Sequence, residues 1–151
     1  MTHIRRSLTI SNETRHLSLV RAVVSEVLDA STFDGKTRNK IIVAVDEALA
    51  NVVEHAYQGG TGPIELGFDL DPEKLVVRIR DNGVRFEPSA ARLTAQIDIK
   101  EHIRLGLKGG LGLFLMRQIM DEIQYVHDTE FVNELILTKK QPPPAEAPAG
   151  A

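Results

Sequence analysis

Three groups of residues in this chain have types and spacings that could do chemistry. In residues 46–57, DEALANVVEHAY, the side chains of Glu47, Asn51 and His55 recur at four-residue steps inside a run that is otherwise largely apolar. On a helix, residues at that spacing drift by only about 40° per step and share one face, separate from the stripe of Val45, Leu49 and Val52. A carboxylate one turn before an amide oxygen combines a proton acceptor with a ligand for Mg2+, an ion that takes oxygen donors and keeps several waters. The same spacing also suits an ordinary solvated helix face.

The second group is Asp81-Asn82-Gly83, directly after an alternating run. All three residue types favour turns; equally, a carboxylate at a strand end, beside a glycine that lets the backbone come close, could receive the amino group of a base such as adenine. The third is the set Gly106, Gly109, Gly110 and Gly112 in GLKGGLGLFL, which abuts a helical pattern. Such glycines either form a flexible connector or free the backbone to wrap an anion at a helix N-terminus, where the amides carry partial positive charge. No Gly-Lys-Ser/Thr follows, so this is not a Walker loop. Nor does it follow a strand as a dinucleotide fingerprint would. His3, His16, His102 and His127 lack metal-ligand spacing, and there is no Gly-x-Ser-x-Gly elbow to support hydrolase chemistry.

The elements that must position these groups follow from periodicity. Residues 4–10 alternate as a short strand. Leu17, Val20, Val24, Val27 and Leu28 define one stripe on a helix over residues 13–30, with Ser11 or Asn12 as its cap. A second helix spans residues 37–57 on a stripe of Ile41, Val45, Ala48, Leu49, Val52 and Ala56, and Gly59-Gly60 ends it. Residues 64–70 and 75–79 alternate around the turn Asp71-Pro72-Glu73, which predicts an antiparallel hairpin. An irregular stretch runs to about residue 110. A helix over 111–123, with Leu115, Ile119 and Met120 inward, and two strands over 124–128 and 131–138 complete the order. That order favours an α/β sandwich: one mixed, largely antiparallel sheet with its helices layered on one face.

Composition bounds the class. The chain has 151 residues, 18 basic and 21 acidic, for a net charge of −3, with 42% apolar and 26% charged residues. These values suit one globular domain and disfavour a partner recognised by phosphate neutralisation, such as nucleic acid. With no cysteine there are no disulfides or thiolate sites. No apolar run approaches the ~18 residues of a membrane span, and residues 1–10 lack the apolar core of a signal peptide, so a cytoplasmic protein without membrane attachment is expected. Residues 141–151, QPPPAEAPAGA, hold four of the seven prolines and no large apolar side chain. They read as a disordered tail after a domain of residues 1–140.

Taken in order, Glu-x-x-x-Asn on a helix, Asp-x-Gly after a strand and a glycine-rich segment opening a helix resemble the GHKL ATPase superfamily with its Bergerat nucleotide fold. The run DEALANVVEHAY is most similar to the N box of the small anti-sigma-factor serine kinases. The resemblance covers residues 7–140, so the extra domains of sensor histidine kinases, gyrases or chaperones are not expected. It implies that Asn51 coordinates Mg2+ between the phosphates of ATP or ADP and that Glu47 is the catalytic base toward the attacking hydroxyl. It further implies that Asp81 accepts from the adenine amino group, that Gly83 lets the base pack close, and that Gly110 and Gly112 give backbone amides to the phosphates. His55 matches the end of the N box, near phosphate. Residues 89–108 would form the lid, with Arg104 and Lys108 as γ-phosphate contacts.

The implied activity is that of an anti-sigma factor and ATP-dependent serine/threonine protein kinase. Its partners would be a sigma factor, a STAS-domain anti-anti-sigma factor and a second copy in a homodimer. The alternative is a non-catalytic, nucleotide-gated binding module that sequesters a regulatory protein. Two departures from the family pattern stand out. Arg85 replaces the second glycine of Asp-x-Gly-x-Gly, so the loop there must avoid a positive φ or open outward. Val132-Asn133 replaces the Gly-Thr or Gly-Asn that often opens the last strand, which leaves a contact from that strand to adenine open.

Overall fold

A computed structural model describes residues 3–58, 60–85, 111–127 and 129–143. Strand β1 (Ile4–Ser11) is followed by a short 3-10 turn, helix α1 (Leu17–Asp29), helix α2 (Gly35–His55) and strands β2 (Pro63–Leu70) and β3 (Lys74–Asp81). Helix α3 (Leu111–Ile119) precedes strands β4 (Glu122–His127) and β5 (Asn133–Lys140). The strands form one sheet in the order β1-β2-β3-β5-β4, and all four pairings among them are antiparallel.

The β2–β3 hairpin forms where the alternation and the Asp71 turn place it. Asp71 Oδ1 accepts from the backbone N–H of Glu73 (2.7 Å) and of Lys74 (2.9 Å), which fixes the turn and therefore the register. Ile64, Leu66, Phe68 and Leu70 then stand opposite Asp81, Ile79, Val77 and Leu75 on one face, and all eight are buried. Asp81 thus occupies a core-facing position at the end of an apolar row. The helices cover that face: Val20, Val24, Val27 and Leu28 of α1 and Ile41, Ala44, Val45, Ala48 and Leu49 of α2 join the same core. Each large side chain so buried contributes about 1.5–3 kcal/mol. The sandwich of one sheet with helices on one face is therefore built as the patterning indicates.

Several boundaries differ from the sequence expectation, each for a local reason. Neither Ser11 nor Asn12 caps α1. The Ser11 hydroxyl lies 3.1 Å from His16 Nδ1, while Asn12 bonds the carbonyl of Gly60 and the N–H of Gly62. Helix α2 begins two residues early because Asp34 caps it, accepting from Thr37 N–H at 2.7 Å. Helix α3 ends at Ile119 instead of Ile123. Asp121 N–H bonds Thr138 O, and Ile123 lies opposite Leu137 in the sheet. In α3 it is Met116, fully buried, that fills the core beside Met120, while Leu115 is only partly buried. Among the described residues no helix is long and apolar enough to cross a membrane.

The end of the domain also carries a finding. Gln141, placed by composition in the tail, donates from its backbone N–H to Glu73 O (2.9 Å) and from its side chain to Asp71 O (2.6 Å), and it accepts from Thr32 N–H (2.9 Å). Residues 144–151 lie outside the described residues.

Candidate functional site

Helix α2 carries 21 residues and is therefore roughly 30 Å long, enough to cross the sheet and bring its last turns over the end of β3. Ala48 has no exposed surface, so the helix lies close to the sheet there, and the next turn opens over a cavity of about 240 Å3. Ala48, Val52, Ile79 and Leu135 give it apolar walls; Asn51, Asp81 and Asn133 place polar groups on it. The arrangement suits a planar heteroaromatic ring: apolar surface for its faces and a carboxylate for an amino group at its edge.

The face predicted for Glu47, Asn51 and His55 exists on α2. Glu47 and Asn51 are partly buried, and His55 is exposed. Asn51 and His55 line the cavity, whereas Glu47 stands one turn back and is not part of its lining. The neighbouring Asp46 is committed elsewhere, accepting from Arg21 of α1 at 2.7 Å. The side chains of Glu47 and Asn51 make no hydrogen bond or ion pair among the described residues, so their oxygens are open to a ligand. Among the described residues there is also no group of three His, Asp or Glu able to hold a metal. A divalent ion beside Asn51 would take its other ligands from water and from a bound phosphate, as Mg2+ commonly does. On that donor set the residues fit the ion the resemblance implies.

Asp81 closes the cavity at the end of β3 and is 3% exposed. Its Oδ1 accepts from Gly83 N–H and from the Asn133 amide, both at 2.9 Å. The Asn133 amide nitrogen also donates to Val84 O at 2.8 Å, and Val84 N–H donates to Ala56 O at 2.6 Å. Tyr57 adds a further tie: its hydroxyl donates to Pro63 O (2.5 Å) and accepts from Asn82 N–H (3.2 Å). Asn82 Oδ1 in turn accepts from Val132 N–H at 3.0 Å. The loop after β3 is thus fastened both to the end of α2 and to the start of β5.

Gly83 has a steric role of its own. A Cβ at this position would lie 1.9 Å from Ala56 O, so the close approach it permits is that of the loop to the helix backbone. Arg85 lines the cavity without a positive φ; the non-glycine residue with one, among those described, is Gln58. Burial pushes the phenol of Tyr125, also on the cavity wall, up to about 12.

Gly112 is the second residue of α3, whose first-turn N–H groups have no partner within the helix. Gly106, Gly109, Gly110, Arg104, Lys108 and the lid over residues 89–108 lie outside the described residues.

A profile of the histidine kinase-like ATPase domain matches residues 10–139. The chain belongs to the histidine kinase-like ATPase family. This ATPase domain is similar to proteins named serine-protein kinase RsbW from Bacillus cereus, Bacillus thuringiensis subsp. konkukian and Bacillus mycoides. Each is 30% identical over 122 residues, which cover 80% of this chain and 76% of the relative. The likeness extends to most of both chains, and it places this histidine kinase-like ATPase with the RsbW serine-protein kinases.

Three residues of the site escape the motif reading. Asn133 is visible in the sequence only as the opening of a strand with an unusual dipeptide. Tyr57 follows the N box and looks like one more apolar residue at the helix end. Tyr125 sits in an alternating strand segment with nothing to mark it as cavity wall.

Proposed function

We propose that this protein is an anti-sigma factor with ATP-dependent serine/threonine protein kinase activity, which phosphorylates a STAS-domain anti-anti-sigma factor in a partner-switching system. One observation supports this most: Asp81 and Asn51 face one cavity from a strand end and a helix, in a chain whose relatives are named serine-protein kinases.

In this reading the apolar walls hold adenine and Asp81 accepts from its amino group. Asn51 offers its amide oxygen to Mg2+, which when bound neutralises phosphate charge. Gly110 and Gly112 donate backbone amides to the phosphates. His55, Arg104 and Lys108 add positive or polar contacts there, and residues 89–108 cover the nucleotide. Glu47 takes the proton from the attacking serine hydroxyl while the serine oxygen bonds the γ-phosphorus and the bond to ADP breaks. Positioning and charge neutralisation account for most of such catalysis.

The product explains the switch. A phosphoserine carries about −1.5 to −2 charges, enough to break a docked, charge-neutral interface and leave the kinase free to hold its sigma factor. A cytoplasmic homodimer that contacts neither nucleic acid nor membrane completes the proposal.

The test is the intact mass of a purified STAS partner after incubation with MgATP and the enzyme. The expected result is a gain of one phosphate with wild type and none with Glu47→Ala, whose ADP affinity stays unchanged. A partner captured in the presence of ATP at unaltered mass would instead identify a nucleotide-gated binding module. Full transfer by Glu47→Ala would remove Glu47 from the role of base.

A further inference from the structure

Asn133 is 6% exposed and has a single amide nitrogen with two hydrogens. Both are used. Nδ2 lies 2.9 Å from Asp81 Oδ1 and 2.8 Å from Val84 O. The partners also fix which way the amide points, because the reverse orientation would set its oxygen against two acceptors. Asp81 Oδ1 receives a second bond from Gly83 N–H, so the acceptor capacity Asp81 retains toward the cavity rests with its other oxygen. Val84 is clamped on both sides of its peptide, by Asn133 at its carbonyl and by Ala56 O at its N–H. This holds its side chain, 50% exposed, at the cavity edge.

We propose that Asn133 is a specificity-determining positioning residue, which fixes Asp81 so that the cavity accepts a purine with a 6-amino group and rejects one with a 6-oxo group. This inference rests on the reading that the cavity takes an adenine nucleotide. A 6-amino group brings a donor to the carboxylate. A 6-oxo group brings an acceptor against an acceptor, and Asn133 cannot compensate because both of its hydrogens are committed. With the carboxylate held by bonds to residues 83 and 133, it cannot swing away to relieve that contact. Discrimination between bases is strongest where a buried polar group would be left facing the wrong partner.

Two substitutions separate this role from plain structural support. Asn133→Asp keeps shape and volume but replaces both donors with acceptors. Asn133→Thr keeps one donor and a side chain suited to a strand. The measurement is calorimetric titration of the full chain and both variants with ADP and with IDP, whose base carries a 6-oxo group, alongside thermal melts. Wild type should prefer ADP by about tenfold or more, the price of one mismatched buried polar contact. Asn133→Asp should narrow the ratio by about tenfold and Asn133→Thr by less. A merely structural role would weaken both nucleotides together and leave the ratio intact. If Asn133→Asp fails to fold, the narrowing in Asn133→Thr carries the test.

Folded variants that keep the wild-type ratio would overturn the proposal, as would a wild type that binds ADP and IDP equally. In those cases nucleotide binding itself would stand. A wild type that binds neither nucleotide would overturn the adenine-nucleotide reading and this inference with it.

Discussion

Gly83 lies so close to the last turn of α2 that a Cβ there would sit 1.9 Å from the carbonyl oxygen of Ala56 and 2.4 Å from its carbonyl carbon. The obstacle is backbone, which cannot rotate aside, and Val84 N–H bonds that same oxygen at 2.6 Å. Gly83→Ala is therefore expected to push the loop off the helix at a cost of about 1–3 kcal/mol, typical of overpacking, and to weaken ADP binding by displacing Asp81. Gly67, where a Cβ meets nothing within 4 Å, is the control. Denaturant unfolding should show Gly67→Ala as stable as wild type or slightly more so. Equal stability of the two variants would contradict the steric account.

The turn at Asp71 predicts a pH dependence. Its carboxyl is held below the usual 3.8 chiefly by the backbone N–H of Glu73, against a smaller opposing effect of burial, with Lys74 N–H adding to the lowering. A group whose pKa is depressed on folding adds stability that is present above the unfolded value and is lost as pH falls through the folded one. Melting curves of wild type and Asp71→Ala should therefore differ near neutral pH and converge as pH falls below 3.8. A difference that persists undiminished in acid would show that the turn does not depend on the charged carboxylate.

Gln141 predicts where the folded unit ends. Its bonds to Glu73, Asp71 and Thr32 join the end of β5 to the β2–β3 turn and to the α1–α2 loop. A chain ended at residue 143 should melt with the full-length protein. One ended at residue 140 should lose about 1–3 kcal/mol, the sum of a few net hydrogen bonds. Indistinguishable melts of the two truncations would place the boundary at Lys140.

Much of this arrangement is legible in the sequence because it depends on short-range periodicity. The alternation over residues 64–70 and 75–79, with Asp71 between, dictates both the hairpin and the burial of Asp81 at the end of a core-facing row. The stripe from Ile41 to Ala56 orients α2, which brings Asn51 and His55 to the cavity without further information. The end of α3 is less legible, because Ile123 fits a helical period with Ile119 and Met120 and equally an alternating one with Tyr125. What decides is the pairing of Ile123 with Leu137, a partner beyond the reach of a local pattern. Asn133 is hidden for the same reason, since its importance lies in Asp81, 52 positions earlier, which only sheet register brings opposite. The role of Gly83 is partly legible: an Asp-x-Gly after a strand signals a tight backbone approach, but that the neighbour is Ala56 depends on how α2 lies across the sheet.

The central claim, that the cavity between α2 and the end of β3 binds a magnesium nucleotide through Asn51, is tested most directly by calorimetry. Wild type and Asn51→Ala would be titrated with ADP and a non-hydrolysable ATP analogue, with and without Mg2+. Mg2+-dependent binding is expected in wild type and should be lost in Asn51→Ala, with both proteins melting alike because the Asn51 side chain has no partner among the described residues. Absence of binding in wild type, or binding in the variant with undiminished Mg2+ dependence, would contradict it.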